Sequence, residues 1–388
     1  MKDRVLDLIN NLSFELNELS LEIYKNPELG YEEHNACKLH SDLLVKYGFN
    51  VQNNFSGVET GFKAEYKSNK PGITVAYMAE YDALPGVGHG CGHNLLGAVS
   101  TGAGIVLKQL IDEIGGTVIV FGTPAEETSG AKVTYVENHE FDNVDIAMIA
   151  HPGNSYRKSG TSLALEPLEF EFFGKASHAA SAPEAGINAL DAAIQTFNSI
   201  NALREHIRSD SRIHGVIING GNAANVVPDY TKSQFYVRST TKSYNLELLE
   251  KVKNCARGAA LATGTELKIT KFEANYDNLV TNETLNNLFA EKIYEVAGIV
   301  MEEPSKNAGS LDAGQVSQVC PTIHPYFDIT NDKNIAPHTK EMANCTITDY
   351  AKEQMKNTIA ALVLSAVEII QNPKLYAEIK HEFDNANK

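Results

Sequence analysis

The chain reads as an α/β protein built on a mostly parallel sheet, with a smaller α+β domain inserted into it. Three observations predict this. Between residues 73 and 150, short apolar runs alternate with helical stretches, as in strands connected by crossover helices. Near residue 162 the order changes to β-α-β-β-α-β, a split, ferredoxin-like arrangement compact enough to form a domain. After about residue 280 the first pattern resumes. The expected larger domain is therefore 1–162 with 280–388, and the insertion is 163–279. A chain of 388 residues is long for one core, so two domains are the natural expectation.

The elements follow in order. Leu6, Ile9, Leu12, Leu16, Leu19 and Ile23 recur at helical spacing until Pro27, and a second helix runs from Glu32 to Tyr47 and stops at Gly48. Strands are expected at 73–79, 117–121 and 145–150, with helices at 94–113 and 130–138. In the insertion, strands at 168–173, 213–218, 234–238 and 267–272 enclose helices at 188–206 and 246–262. A helix at 283–297, a strand at 322–329 and a long helix at 347–371 complete the larger domain.

Composition excludes several classes. Lys and Arg number 33 against 49 Asp and Glu, a formal charge of −16. Such a chain has no general attraction for nucleic acid or anionic membranes, so neither is an expected partner. No run is read as reaching the roughly 18–20 apolar residues of a membrane span. The N-terminus, Met1-Lys2-Asp3-Arg4, lacks a signal-peptide core. Five widely spaced cysteines suggest thiols in a reducing, cytoplasmic setting.

The chemistry gathers where the strands end. Asp82 and Gly90-Cys91-Gly92-His93 follow the first strand, Glu126-Glu127 follows the second, and His151 ends the third. Open α/β sheets bind ligands at the carboxyl ends of their strands. Cys91, His93, Glu127, His151 and His338 read as a metal-ligand set, and Glu126 as a spare carboxylate able to move protons. Each piece has a plainer reading. Cys91-Gly92-His93 also fits a glycine-rich turn, Glu126-Glu127 a solvated pair opening a helix, and His151 a capped core residue. His338 alone says little. His34, His40 and His206 fall on expected helices as surface or packing residues. The glycines from Gly86 to Gly92 do not complete G-x-G-x-x-G, which removes a dinucleotide loop.

With those residues named, the chain resembles the M20 metallopeptidase and aminoacylase family, and within it the amidohydrolase subfamily. The resemblance runs from Asn26-Pro27-Glu28-Leu29-Gly30-Tyr31-Glu32-Glu33 through Glu80-Tyr81-Asp82-Ala83-Leu84-Pro85, Gly88-His89-Gly90-Cys91-Gly92-His93-Asn94 and Pro124-Ala125-Glu126-Glu127. It continues at Ala176-Ser177-His178-Ala179-Ala180, Asn225-Val226-Val227-Pro228 and Pro337-His338-Thr339. It implies a catalytic domain with an inserted lid and hydrolysis of an amide bond in small N-acyl amino acids, aminobenzoyl-glutamate-like conjugates or short peptides. It implies two divalent ions, zinc first, with manganese or cobalt as substitutes. Cys91 corresponds to the bridging ligand, and His93, Glu127, His151 and His338 to the terminal ones. Glu126 corresponds to the general base and Asp82 to the carboxylate orienting a ligand histidine. His178 corresponds to a residue that stabilises the oxyanion in a neighbouring subunit, which implies a homodimer through the lid and leaves further assembly open. Asn225 and Arg238 correspond to residues holding the substrate's carboxylate side. An exposed strand-end arginine paired to acidic neighbours is the plainer reading of Arg238. His324 either lines the substrate pocket or caps a strand. His89 has a place in the motif without an assigned role, and Asn94 stands where much of the subfamily has aspartate.

Two other readings stay open on sequence alone. Cys91 activated by His93 or His89 would be a nucleophile that survives chelation. A non-catalytic metal-binding protein of the same fold would have no use for the spare carboxylate of Glu126.

Overall fold

The computed structural model describes residues 1–305 and 309–386. It divides into two compact units, Met1–Thr161 with Leu279–Lys388, and Ser162–Asn278.

The first unit begins with α1 (Lys2–Lys25), α2 (His34–Lys46), β1 (Asn50–Asn53) and β2 (Phe62–Lys67). It continues with β3 (Thr74–Ala79), α3 (His93–Ile114), β4 (Thr117–Gly122), α4 (Ala131–Glu137), β5 (Ile146–Met148) and β6 (His151–Gly153). The second unit holds β7 (Ala164–Phe173), α5 (Ala189–Leu203), β8 (Arg212–Asn219), β9 (Tyr230–Ser239), α6 (Lys242–Thr263) and β10 (Glu266–Thr270). The chain then returns to the first unit with α7 (Glu283–Ala297), α8 (Ala313–Ser317), β11 (Thr322–Ile323), β12 (Tyr326–Asp328), α9 (Lys340–Cys345), α10 (Asp349–Gln371) and α11 (Pro373–Ala386).

The main sheet has the order β1-β2-β4-β3-β5-β11. β4, β3, β5 and β11 run parallel, and β2 and β1 extend the sheet antiparallel. Alternation along β3 sorts its side chains to two faces. Val75, Tyr77 and Ala79 join a core with α1, α3, α7 and α10, while Ala76 and Met78 join a second core with Phe121, Tyr135 and Phe141. A parallel sheet covered on both faces explains the unbroken apolar runs. α3 is long and apolar enough to pass for a membrane span, contrary to the sequence reading, and 89% of that window is buried in the protein.

Two expected strands are each broken. The run 145–150 ends as β5 at Met148 and restarts as β6 at His151, and the run 322–329 splits around His324-Pro325. β6 and β12 pair with each other in a separate two-stranded ribbon. The paired breaks turn both chains out of the sheet at the same level, which sets His151 and His324 side by side. β1, β2, α8, α9 and α11 were not anticipated.

In the second unit one antiparallel sheet, β10-β7-β9-β8, is covered by α5 and α6. Asn188 caps α5 by accepting from the N–H groups of Leu190 and Asp191, and Thr241 caps α6 by accepting from Tyr244. β8 is an edge strand with exposed Val216 and Ile218.

Candidate metal centre

Because β3, β4 and β5 are parallel, the loops leaving their carboxyl ends open on one edge of the sheet. Cys91 and His93 arrive at the N-terminus of α3. Between them Gly92 has φ +83°, and a Cβ there would stand 2.8 Å from Pro152 Cβ. Only glycine allows the Cys91 loop to approach the His151 loop so closely. Cys91 Sγ lies 3.4 Å from His151 Nε2 and 3.6 Å from His338 Nε2, and Glu127 Oε1 lies 3.5 Å from His338 Nε2. The exposed His338 is tied in by its own N–H, which donates to Gly90 O at 2.9 Å.

Among the described residues three overlapping donor groups result: Cys91, His93 and His151; Cys91, Glu127 and His338; and His93, Glu126 and Glu127. Cys91, His93 and Glu127 are each shared by two groups, so the donors form one connected cluster.

The donors fit divalent ions. Two donors on one tetrahedral zinc stand about 3.3–3.6 Å apart, given bonds of about 2.0 Å to nitrogen and 2.3 Å to sulfur. The contacts of Cys91 with His151 and His338 match that spacing. His93 Nδ1 donates to Asp82 Oδ1 at 2.9 Å, and His151 Nδ1 donates to Pro152 O at 2.7 Å. In the neutral rings both Nε2 atoms therefore carry the lone pair toward the cluster. His93 Nε2, Glu80 Oε2 and Glu127 Oε1 are buried and form no well-aligned hydrogen bond, although His93 Nε2 faces Glu80 Oε2 at 3.2 Å and Glu127 Oε1 faces His338 Nε2 at 3.5 Å, contacts that a metal ion bound by these atoms would replace.

The electrostatics differ between the two rings. Burial, followed by neighbouring His324 and His93, lowers the His151 pKa to about 3, which keeps its imidazole neutral and ligand-ready. Burial opposes protonation of His93, yet Asp82 and Cys91 outweigh it and push that pKa well above the usual range. The cluster pulls positive charge inward. Burial, then the carboxylates of Glu80 and Asp312, push Glu126 well above the ordinary carboxyl range.

Asp82 holds two parts of the cluster together, since its second oxygen accepts the Glu127 N–H at 2.9 Å. His324 is buried and stacks on His151 with ring centroids 5.4 Å apart, and burial lowers its pKa to about 4. His89 is buried and donates to Ile23 O at 3.1 Å, tying the motif loop to the end of α1. Asn94 donates from its amide to Ser20 and Thr346, which a carboxylate cannot do. That accounts for asparagine at this position.

Asp82, Cys91, His93, Glu126, Glu127, His151, His324 and His338 thus come together in the first unit. His178, Asn225 and Arg238 lie on the second. His178 and Asn225 are exposed there on adjoining segments, with Ala179 N–H donating to Asn225 O. Arg238 is on β9, its guanidinium 5.4 Å from the Tyr236 ring centroid.

A buried charge cluster was missed. Lys132 Nζ lies 2.7 Å from Glu80 Oε1 and 2.7 Å from Asp312 Oδ1, all three fully buried, and the other Glu80 oxygen stands 3.2 Å from His93 Nε2. Glu80 was quoted only as part of a motif. The sole local sign of Lys132 is a lysine near the start of a short, largely apolar helix.

The peptidase dimerisation domain model of the M20 family matches residues 167–263. The chain is 34% identical over 402 residues to the Xaa-Arg dipeptidase of Mus musculus, covering 99% of this chain and 92% of that protein. It is 32% identical over 291 residues to a p-aminobenzoyl-glutamate hydrolase chain of Escherichia coli, covering 70% and 60%. Among solved structures, a putative aminohydrolase of methicillin-resistant Staphylococcus aureus superposes with a TM-score of 0.79 at 19% identity, over 95% of this chain and 99% of that one. A dinuclear metal-binding M20 peptidase of Bacillus subtilis gives 0.68 at 19% identity, over 92% and 99%. In sequence along nearly its whole length, and in fold, this chain belongs to the M20 peptidase family.

Proposed function

We propose that the chain cleaves an amide or peptide bond in small N-acyl amino acids, aminoacyl conjugates or dipeptides at a two-metal centre, with Glu126 as the proton carrier. The observation that carries this reading is the convergence of Glu126 and Glu127 with Cys91 and three histidines at the sheet edge. Cys91, His93, Glu127, His151 and His338 would hold two divalent ions, zinc being the best match to a thiolate and imidazole set. When bound, such ions polarise the scissile carbonyl and acidify water.

The chain's own residues do the rest. Glu126 is half-buried beside other carboxylates, and desolvation with their charge raises its proton affinity toward the range a general base requires. It accepts a proton from the attacking water and passes it to the leaving nitrogen. Asp82 fixes the tautomer of His93. His178 is proposed to stabilise the oxyanion, and Asn225 and Arg238 to hold a substrate carboxylate. The order of motifs supports those three roles.

Two Xaa-Arg dipeptidases are matched over 99% of the chain, which favours dipeptides ending in arginine as first substrates. Their terminal carboxylate also suits Arg238. A homodimer through the second unit is supported by the dimerisation-domain match. A Cys91 nucleophile would instead keep its activity in the chelator-stripped protein and lose it on thiol alkylation.

The test is a hydrolysis panel on chelator-stripped protein: Xaa-Arg dipeptides, aminobenzoyl-glutamate and acetyl-amino acids, with zinc, manganese or cobalt added singly. Cleavage restored by metal supports the proposal, and full activity in the stripped protein refutes it. Glu126→Gln should lower turnover by at least about 10²-fold with metal content unchanged. Retained turnover would remove Glu126 from its role.

A further inference from the structure

The segment Asn26 to Glu33 carries none of the site's donors, yet it contacts both loops that do. Glu28 O accepts the Ala83 N–H at 2.8 Å, one residue beyond Asp82. Its carboxylate caps α2, accepting from Asn35 and Ala36 at 2.9 Å each. Glu33 is 0% exposed, and its Oε1 accepts the Ala125 N–H at 2.8 Å. Its Oε2 accepts the Thr60 hydroxyl at 2.9 Å.

Ala125 is an unusual partner. It immediately precedes the Glu126–Glu127 pair and has φ +65°, the left-handed region that residues with a Cβ adopt at a penalty. Such a conformation persists only where its surroundings over-determine it. Two buried carboxylates do so here: Glu33 holds the N–H of Ala125 and Asp82 holds that of Glu127. The turn is suspended between them. Gly30 lets the brace come close, since a Cβ there would sit 3.1 Å from both Ala125 Cα and Cβ.

We infer that Glu33 is a positioning residue for the site, holding Ala125 in its left-handed conformation so that Glu126 and Glu127 both face the donor cluster. This rests on the reading of Glu127 as ligand and Glu126 as base. The Asn26 to Glu33 motif then serves to brace the two loops that follow β3 and β4.

The test uses the full-length protein and reads kcat, KM and the zinc dissociation constant of the stripped protein. Glu33→Ala should lower kcat by at least about 10-fold and weaken zinc by about 10-fold, with KM little changed, because a displaced turn misplaces ligand and base together. Glu33→Gln retains an acceptor oxygen for Ala125 and should recover most of both. Glu33→Ala with Ala125→Gly should also recover in part, because glycine enters the left-handed region without a brace. A residue that merely filled buried space would give no such rescue. Unchanged kcat and zinc affinity in folded Glu33→Ala would overturn the inference, as would a double variant no better than Glu33→Ala. Should Glu33→Ala fail to fold, Thr60→Val, which removes the hydroxyl orienting Glu33, carries the same test, and unchanged constants there overturn it. Glu126→Gln is assayed alongside. If it keeps turnover, the role of the base falls, while zinc affinity still judges the brace by itself.

Discussion

Replacing Lys132 with methionine keeps the length of the side chain and removes one cation that serves two carboxylates. Lys132 is completely buried, with Nζ 2.7 Å from both Glu80 and Asp312. In water the two acids would hardly notice its loss. In the interior Asp312 would lose its cation without hydration to replace it, and Glu80 would keep only His93. Removing one partner of a buried ion pair destabilises by about 3–5 kcal/mol. At about 2–4 °C per kcal/mol for a domain of this size, the melting temperature should fall by roughly 10 °C. Differential scanning calorimetry at pH 7 reads this directly. The deficit should shrink as the pH is lowered, because protonation of Glu80 or Asp312 removes the uncompensated charge. Adding Glu80→Gln and Asp312→Asn to Lys132→Met should restore much of the loss, since a neutral cluster carries no unpaired ion. A Lys132→Met protein melting within about 3 °C of the parent would refute the claim that this triad is a structural necessity.

Three further outcomes are expected. His40 is fully buried with its pKa lowered to about 3 by burial. Below about pH 6.5 the unfolded chain therefore takes up a proton that the folded chain refuses, and stability should fall toward pH 3 by about 1.4 kcal/mol per unit. His40→Gln should flatten that slope in urea titrations, and an unaltered slope would assign the acid sensitivity elsewhere. Cys91→Ser should weaken zinc by at least about 10-fold in a chelator-competition titration, since Cys91 belongs to two of the three donor groups; an unchanged affinity would remove it from the ligand set. If the proposed homodimer pairs through the β8 edge, Val216→Lys with Ile218→Pro should yield monomers in analytical ultracentrifugation, because charge and proline block strand addition. A dimer mass in that variant would place the interface on another surface.

The sequence was most readable where one residue's environment is set by its near neighbours. The apolar runs at 74–79 and 117–122 are strands because β-branched and aromatic residues crowd them, and the donors stand where those runs stop. The break at Ile149–Ala150 was hidden because that run is apolar across it, and only the pairing of β6 with β12 reveals it. The break at His324–Pro325 does carry a local sign, since proline cannot donate to a strand ladder. β2 was overlooked because its alternation is short and partly polar, and it is recognisable as a strand by its pairing with β4. The positive φ of Ala125 carries no local sign at all, since a glycine would have announced it and an alanine does not. The partnership of Lys132 with Asp312 spans 180 residues. A buried lysine is indistinguishable from a surface one until its partners arrive.

The insertion has a consequence for the birth of the protein. The contact between Cys91 and His338 spans 247 residues of chain, and β11, the last strand of the main sheet, comes after the whole second unit. During synthesis Cys91, His93, Glu127 and His151 leave the ribosome long before the segment that completes them. Such long-range closure is slow and leaves an unpaired strand edge exposed while it waits. The nascent first unit must therefore persist as an unfinished sheet with an open thiol while the second unit, continuous in sequence, is free to fold alone. Truncation between Asn278 and Pro337 should yield a folded second unit joined to an incomplete first one, so proteolysis of ribosome-stalled chains would show protection appearing in that order.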